Sequence, residues 1–167
     1  LEHKGLYWSK IKGTEDAATV EPDEDYVLPF GKAREVLVSE VSTDYNSVSI
    51  ITYGMGVYWA KQAAKDFPNQ VEIIDLRTLV PLDEETIFTS VKKHSRCIVL
   101  TEEAKQNSFA QSVAGLISEE CFEYLDAPVR VLGAQDLPAI PLNSTLEQEM
   151  LPNAEKLKAL INNVLNY

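Results

Sequence analysis

Two short apolar runs, "VEIIDL" at 71–76 and "CIVL" at 97–100, constrain the fold more than any other feature of the sequence. Each is too short to be a buried helix, and each places apolar side chains on both sides of a period-two alternation. Strands of that kind need cover on both faces, which a parallel sheet between two layers of helix supplies. The intervening segments read as those helices. "GVYWAKQAAKDF" (56–67) is stopped by Pro68-Asn69. A second helix starts at Asp83, an N-cap followed by Glu84 and Glu85 in the first turn and closed by Lys92, Lys93 and His94 in the last. Ile87, Phe88 and Val91 are its core side. The segment 107–125 reads as the longest helix, with Ser108 and Gln111 as a capping box. Its apolar stripe is Phe109, Val113, Leu116, Ile117, Cys121, Tyr124 and Leu125. A last helix over 154–166 carries Leu157, Leu160, Ile161, Val164 and Leu165 on one side.

Strands are expected at 33–41, 47–54, 71–76, 96–103 and 128–134, alternating with helices from the second onward. Such alternation implies right-handed crossovers. The fold class is therefore α/β: a three-layer α/β/α domain with a mostly parallel five-stranded sheet. The first strand, joined to the second by the short turn "STDYN", is an antiparallel edge strand. Residues 31–167 form this domain, and 1–30, which lack periodicity, form an irregular arm over the domain or over another subunit.

Charge narrows the partners. Fifteen basic against 26 acidic residues give −11, which argues against nucleic acid and anionic membranes. Six of those carboxylates lie in "TEDAATVEPDED" (14–25), which holds no Lys or Arg. That run is either a solvated loop or a landing site for a basic partner. Cys97 and Cys121 read as small buried hydrophobes of a reducing compartment. No apolar stretch is long enough to span a bilayer and no signal peptide is visible. The chain starts Leu1-Glu2-His3 with no initiator Met, so it is expected to be part of something longer.

Ligands of open α/β sheets sit at the carboxyl ends of the strands. There, Gly54 and Gly56 precede a helix, either as a tight turn that needs glycine or as a small-anion cradle. Asp75 and Arg77 end the third strand and point the same way at a period of two. They form a structural strand-end pair or, with Arg77 as a fork, a ligand clamp. Thr101-Glu102-Glu103 ends the fourth strand, and a carboxylate there needs a His or nucleophile partner to act as a base. His3 lies in the arm, and His94 reads as a surface residue at a helix end. No nucleophile elbow or metal-ligand spacing is present. A self-contained active site is not expected.

"IITYGMGV", "IDLRTLVPLDEETI", "SVKKHSR…VLTEEA" and "EECFEYLDAPVRVLGAQDLPAIPLNSTLE" follow one another in order, and the ending is "MLPNAEKLKALINNVLNY". This series resembles the C-terminal, transketolase-like domain of the beta subunit of thiamine-diphosphate-dependent 2-oxoacid dehydrogenases. "EECF", "LDAPV", "LTEEA" and the Asn-Tyr ending favour the branched-chain (2-oxoisovalerate) type over the pyruvate type. The resemblance implies a parent enzyme of the bacterial cytoplasm, or of the mitochondrial matrix, which decarboxylates a 2-oxoacid and passes the acyl group to lipoyl. Thiamine diphosphate and magnesium belong to that parent. None is expected on this chain alone, which has no Gly-Asp-Gly motif, and no residue carries over as catalytic. The implied roles are oligomeric assembly with the rest of the alpha/beta dehydrogenase and docking of the basic subunit-binding domain of the lipoyl acyltransferase. Asp126, Asp136 and Tyr167 are the expected docking residues.

Overall fold

A computed structural model describes residues 3–8, 11–42 and 44–167. Strands β1 (Arg34–Leu37), β2 (Val48–Thr52), β3 (Val71–Asp75), β4 (Cys97–Ala104) and β5 (Arg130–Ala134) form one sheet. Its order is β1-β3-β2-β4-β5. β3, β2, β4 and β5 run parallel, and β1 lies antiparallel on the outer edge of β3. The expected α/β class and antiparallel edge strand hold. The edge strand, however, is not the neighbour of β2, which follows it in sequence. β2 is central and wholly buried, so both its edges are taken by parallel partners that also need cover on both faces. The half-exposed β1 is left to the rim.

The helices are α1 (Lys4–Tyr7), α2 (Met55–Ala64), α3 (Glu84–His94), α4 (Phe109–Glu120), α5 (Ser144–Met150) and α6 (Ala154–Leu165). Period-two alternation sorts the strand residues onto two faces. Ile50, Ile73, Ile98 and Leu100 meet Ala60, Ala63, Leu157 and Ile161 of α2 and α6. Ile51, Ile74, Cys97 and Val99 meet Ile87, Val91, Val113 and Ile117 of α3 and α4. All eight of these strand side chains are fully buried. Burial of that kind contributes about 1.5–3 kcal/mol per large aliphatic side chain.

Local signals set the ends. Asp83 Oδ1 accepts the Thr86 N–H at 3.3 Å, and Ser108 Oγ accepts that of Gln111 at 3.1 Å. The reciprocal bond of the expected capping box is displaced by one residue: Gln111 Oε1 accepts from Asn107 rather than from Ser108. The helix expected over 107–125 stops at Glu120 and resumes as a 3₁₀ turn, Phe122–Tyr124. The break at Cys121 turns Tyr124 out of the apolar stripe to 49% exposure, with the Lys92 ammonium 5.0 Å above its ring. Two α-helices had no expectation attached. α1 lies in the arm, and α5 is capped by Asn143 and closed by Lys156, whose ammonium donates to the carbonyls of Gln148, Glu149 and Leu151.

Candidate functional site

At the carboxyl ends of β2 and β4 lies a cavity of about 380 Å³ bordered by Tyr53, Gly54, Met55, Glu102, Glu103 and Phe109. Tyr53 Oη donates to Glu103 Oε1 at 2.9 Å and lies 2.9 Å from Thr101 Oγ1. Burial pushes the Tyr53 phenol up to about 12, against an opposing contribution from Thr101, so it remains a donor across the neutral range. Glu103 Oε1 also accepts the Phe109 N–H at 2.9 Å, which stabilises the start of α4. His3 Nε2 reaches Glu102 Oε2 at 2.7 Å and fastens the arm to this edge.

The Gly54–Gly56 turn is built for packing. Gly54 caps α2 with φ +57°, a left-handed conformation that side chains resist. A Cβ at Gly56 would stand 2.0 Å from Thr52 Oγ1. The Gly56 N–H already donates to Tyr53 O at 3.2 Å and that of Val57 to Gly54 O at 3.3 Å. Two of the donors an anion would need are therefore engaged.

Asp75 Oδ1 accepts the backbone N–H of Arg77 at 3.2 Å, and Arg77 adopts φ +55°. The bond is thus an aspartate turn rather than a fork: the Arg77 side chain is exposed and enters no ion pair among the described residues. Burial pushes the Asp75 carboxyl above its usual range, opposed by the Arg77 N–H and by the Arg77 and Arg34 charges.

The opposite end of the sheet holds a polar cluster that the sequence reading missed. Glu72, on β3, is only 2% exposed. Its Oε1 accepts Ser90 Oγ–H at 2.7 Å, and its Oε2 accepts the Lys93 ammonium at 2.8 Å and the Ser39 N–H at 3.3 Å. Ser49 Oγ lies 2.6 Å from Ser90 Oγ, whose own proton goes to Glu72, so Ser49 is the donor. His94 is not at the surface as expected. It is 2% exposed, with Nδ1 2.8 Å from Ser47 Oγ and Nε2 3.3 Å from Glu72 Oε2. Its ring faces inward because the left-handed Ser95 turns the chain back from α3 into β4 immediately behind it. Burial alone would raise the Glu72 pKa, but the His94 ring beside it and bonds from Lys93 and Ser90 outweigh that and hold the carboxyl at about 2. The signal that could have found this cluster was an acid inside an apolar strand, which must be paired.

Of the expected docking residues, two come together. Asp126 and Tyr167 border one groove of about 670 Å³ with Phe122, Glu123, Leu125 and Pro128. Phe122 is 77% exposed at its rim. Arg96 Nη1 donates to Asp126 Oδ2 at 3.2 Å, leaving the rest of that carboxylate to solvent. The adjoining segment 119–126 carries Glu119, Glu120, Glu123 and Asp126 with no basic residue. Asp136 is elsewhere. It lies two residues past the carboxyl end of β5, whereas Asp126 lies four residues before its start.

A mostly parallel sheet between two helical layers, with an antiparallel rim strand, defines an open α/β domain. Residues 38–157 match the family described as transketolase, C-terminal domain, and the chain belongs to that family. It is 36% identical over 170 residues to the 2-oxoisovalerate dehydrogenase subunit beta of Bacillus subtilis, covering 100% of this chain and 48% of that protein. The subunit of the same name from Pseudomonas aeruginosa is 37% identical over 147 residues, covering 83% of this chain and 40% of that one. The pyruvate dehydrogenase E1 component subunit beta of Rhizobium meliloti is 35% identical over 137 residues, 80% of this chain and 28% of that protein. The chain thus spans about half or less of the curated relatives it matches. A split-gene transketolase, an inactive beta4 tetramer, shares the fold with a TM-score of 0.66 at 20% identity, over 86% of this chain and 44% of that one.

Proposed function

We propose that this chain is the assembly and docking domain of a 2-oxoacid dehydrogenase beta subunit of the branched-chain, 2-oxoisovalerate type. The observation that carries this reading is the 36% identity along the entire chain to a subunit of that name. The pyruvate type is the second reading, favoured by the 35% identity to a pyruvate dehydrogenase beta subunit. The parent enzyme decarboxylates a 2-oxoacid with thiamine diphosphate and magnesium and passes the acyl group to a lipoyl carrier.

Nothing in the carboxyl-edge cavity fits a diphosphate. Two carboxylates, Glu102 and Glu103, border it, and its histidine, His3, is already engaged with Glu102. Among the described residues no group of three His, Cys, Asp or Glu side chains is placed to hold a metal ion. The reading places no catalytic step on residues of this chain. Its contribution is to hold shape and to present surfaces, and no helix among the described residues is long and apolar enough to cross a membrane.

The docking surface is the groove at Asp126 and Tyr167, and its occupant is the small basic subunit-binding domain of the lipoyl acyltransferase. Acidic residues on 119–126 draw a basic partner in, and exposed Phe122 with Leu125 and Pro128 gives it an apolar footing. Titration of the chain with that subunit-binding domain tests the reading. Saturable binding that Asp126→Asn weakens supports it, and binding unaffected by Asp126→Asn and Tyr167→Ala together rejects it.

A further inference from the structure

A further cavity, of about 320 Å³, lies between the arm, β1 and α2, at the end of the sheet where Asp75 closes β3. Its charges do not cancel in the ordinary way. Arg34 of β1 and Asp75 of β3 are direct partners in the antiparallel pair. Side chains so placed leave the sheet on the same face with Cβ atoms about 5 Å apart, where opposite charges normally close on each other. Here no ion pair forms between them, and both line the cavity instead. Asp75 has one oxygen on the Arg77 N–H, and its other oxygen accepts no bond among the described residues. Tyr58, on α2, lines the same space.

The remaining charged pair is satisfied. Lys61 forms an ion pair with Asp16 of the arm, which closes one wall and removes both from the account. What faces the space is one cation (Arg34), one anion (Asp75), a phenol (Tyr58) and the neutral Thr19, beside apolar Val36 and Val57. A ligand of a single charge would satisfy one of the two and repel the other. A ligand with a carboxylate and an ammonium a few bonds apart satisfies both. Because burial disfavours the ionised Asp75 carboxyl, an ammonium arriving there gains a partner that otherwise lacks one.

We propose that this cavity binds a small zwitterion, a free aliphatic α-amino acid: its carboxylate on Arg34, its ammonium on Asp75 and its side chain against Val36 and Val57. The site shares no lining residue with the docking groove, so it stands or falls independently of the function proposed above.

The test is a titration of this chain with L-valine, followed by amide chemical shifts, with isovalerate (carboxylate only) and isobutylamine (ammonium only) as controls. L-valine is expected to give saturable shifts at Arg34, Tyr58 and Asp75, with each control at least about tenfold weaker, a ratio worth about 1.4 kcal/mol. Arg34→Met, an exposed position that leaves the core intact, is expected to weaken L-valine at least about tenfold. Asp75→Asn, which keeps an acceptor for the Arg77 N–H, should do the same. No saturable shift at about 20 mM L-valine, well above millimolar affinity, overturns the proposal. So does an isovalerate response equal to that of L-valine, or unchanged affinity in both variants.

Discussion

The Lys93 ammonium lies 2.8 Å from Glu72 Oε2, a carboxylate that β3 carries into the interior and leaves 2% exposed. Ser90, Ser39 and His94 converge on the same group, so α3, β3 and the chain leaving β1 are tied at one point. A buried carboxylate is tolerated only when paired and bonded in this way.

Acid should release that tie. The Glu72 pKa is about 2 in the folded chain against 4.5 for a free glutamate, so the folded pKa is depressed. Its stabilisation is then fully present above about pH 4.5 and is lost as the pH falls toward 2. Denaturant midpoints measured from pH 6 down should fall through this window, and the fall should be shallower in Glu72→Gln. Glu72→Ala, which strands Lys93 and Ser90 without their acceptor, should cost about 3–5 kcal/mol at neutral pH.

Gly56→Ala forces a Cβ to within 2.0 Å of Thr52 Oγ1, whose hydroxyl donates to Leu100 O at 2.9 Å. Overpacking of this kind typically costs about 1–3 kcal/mol. Gly54→Ala meets only His3 Cδ2, at an ordinary 3.6 Å, but must hold φ +57° with ψ −129°, outside the left-handed helical well, at roughly 1–3 kcal/mol. Both are read as shifts in thermal midpoint.

Asp75 and Arg77 separate by the same logic. Arg77→Ala removes an exposed side chain without an ion partner and should change the stability of this chain by no more than about 0.5 kcal/mol. Asp75→Ala removes the acceptor of the turn and should cost about 1 kcal/mol. Any larger effect of Arg77→Ala on the assembled enzyme would then report a subunit contact.

The three docking candidates should not behave alike. Asp126→Asn and Tyr167→Ala alter the same groove, so each should weaken capture of the subunit-binding domain, the former more at low salt than at high salt. Asp136→Asn, beyond the other end of β5, should leave binding unchanged, as measured by surface capture at two ionic strengths.

Much of this was readable from residue order. Continuous apolar strands forced a parallel sheet, and Asp83 and Ser108 marked their helix starts. What escaped depended on contacts distant in sequence. Nothing local in 33–41 says that β1 pairs with β3, since strand choice follows from which edges remain after the buried strands are satisfied. His94 beside two lysines has the pattern of a solvated helix end, and only the turn at Ser95 and the acceptor at Glu72, 22 residues earlier, draw it inside. Arg34 could not be matched with Asp75 before that pairing was known. Asp126 and Asp136 are alike as sequence, and five residues of β5 between their segments place them at opposite ends.

Calorimetric titration of the chain, first with thiamine diphosphate and magnesium and then with the acyltransferase subunit-binding domain, tests the central claim most directly. No heat with the cofactor and saturable heat with the domain, weakened by Asp126→Asn, is the predicted result. Saturable heat with thiamine diphosphate and none with the subunit-binding domain would contradict it.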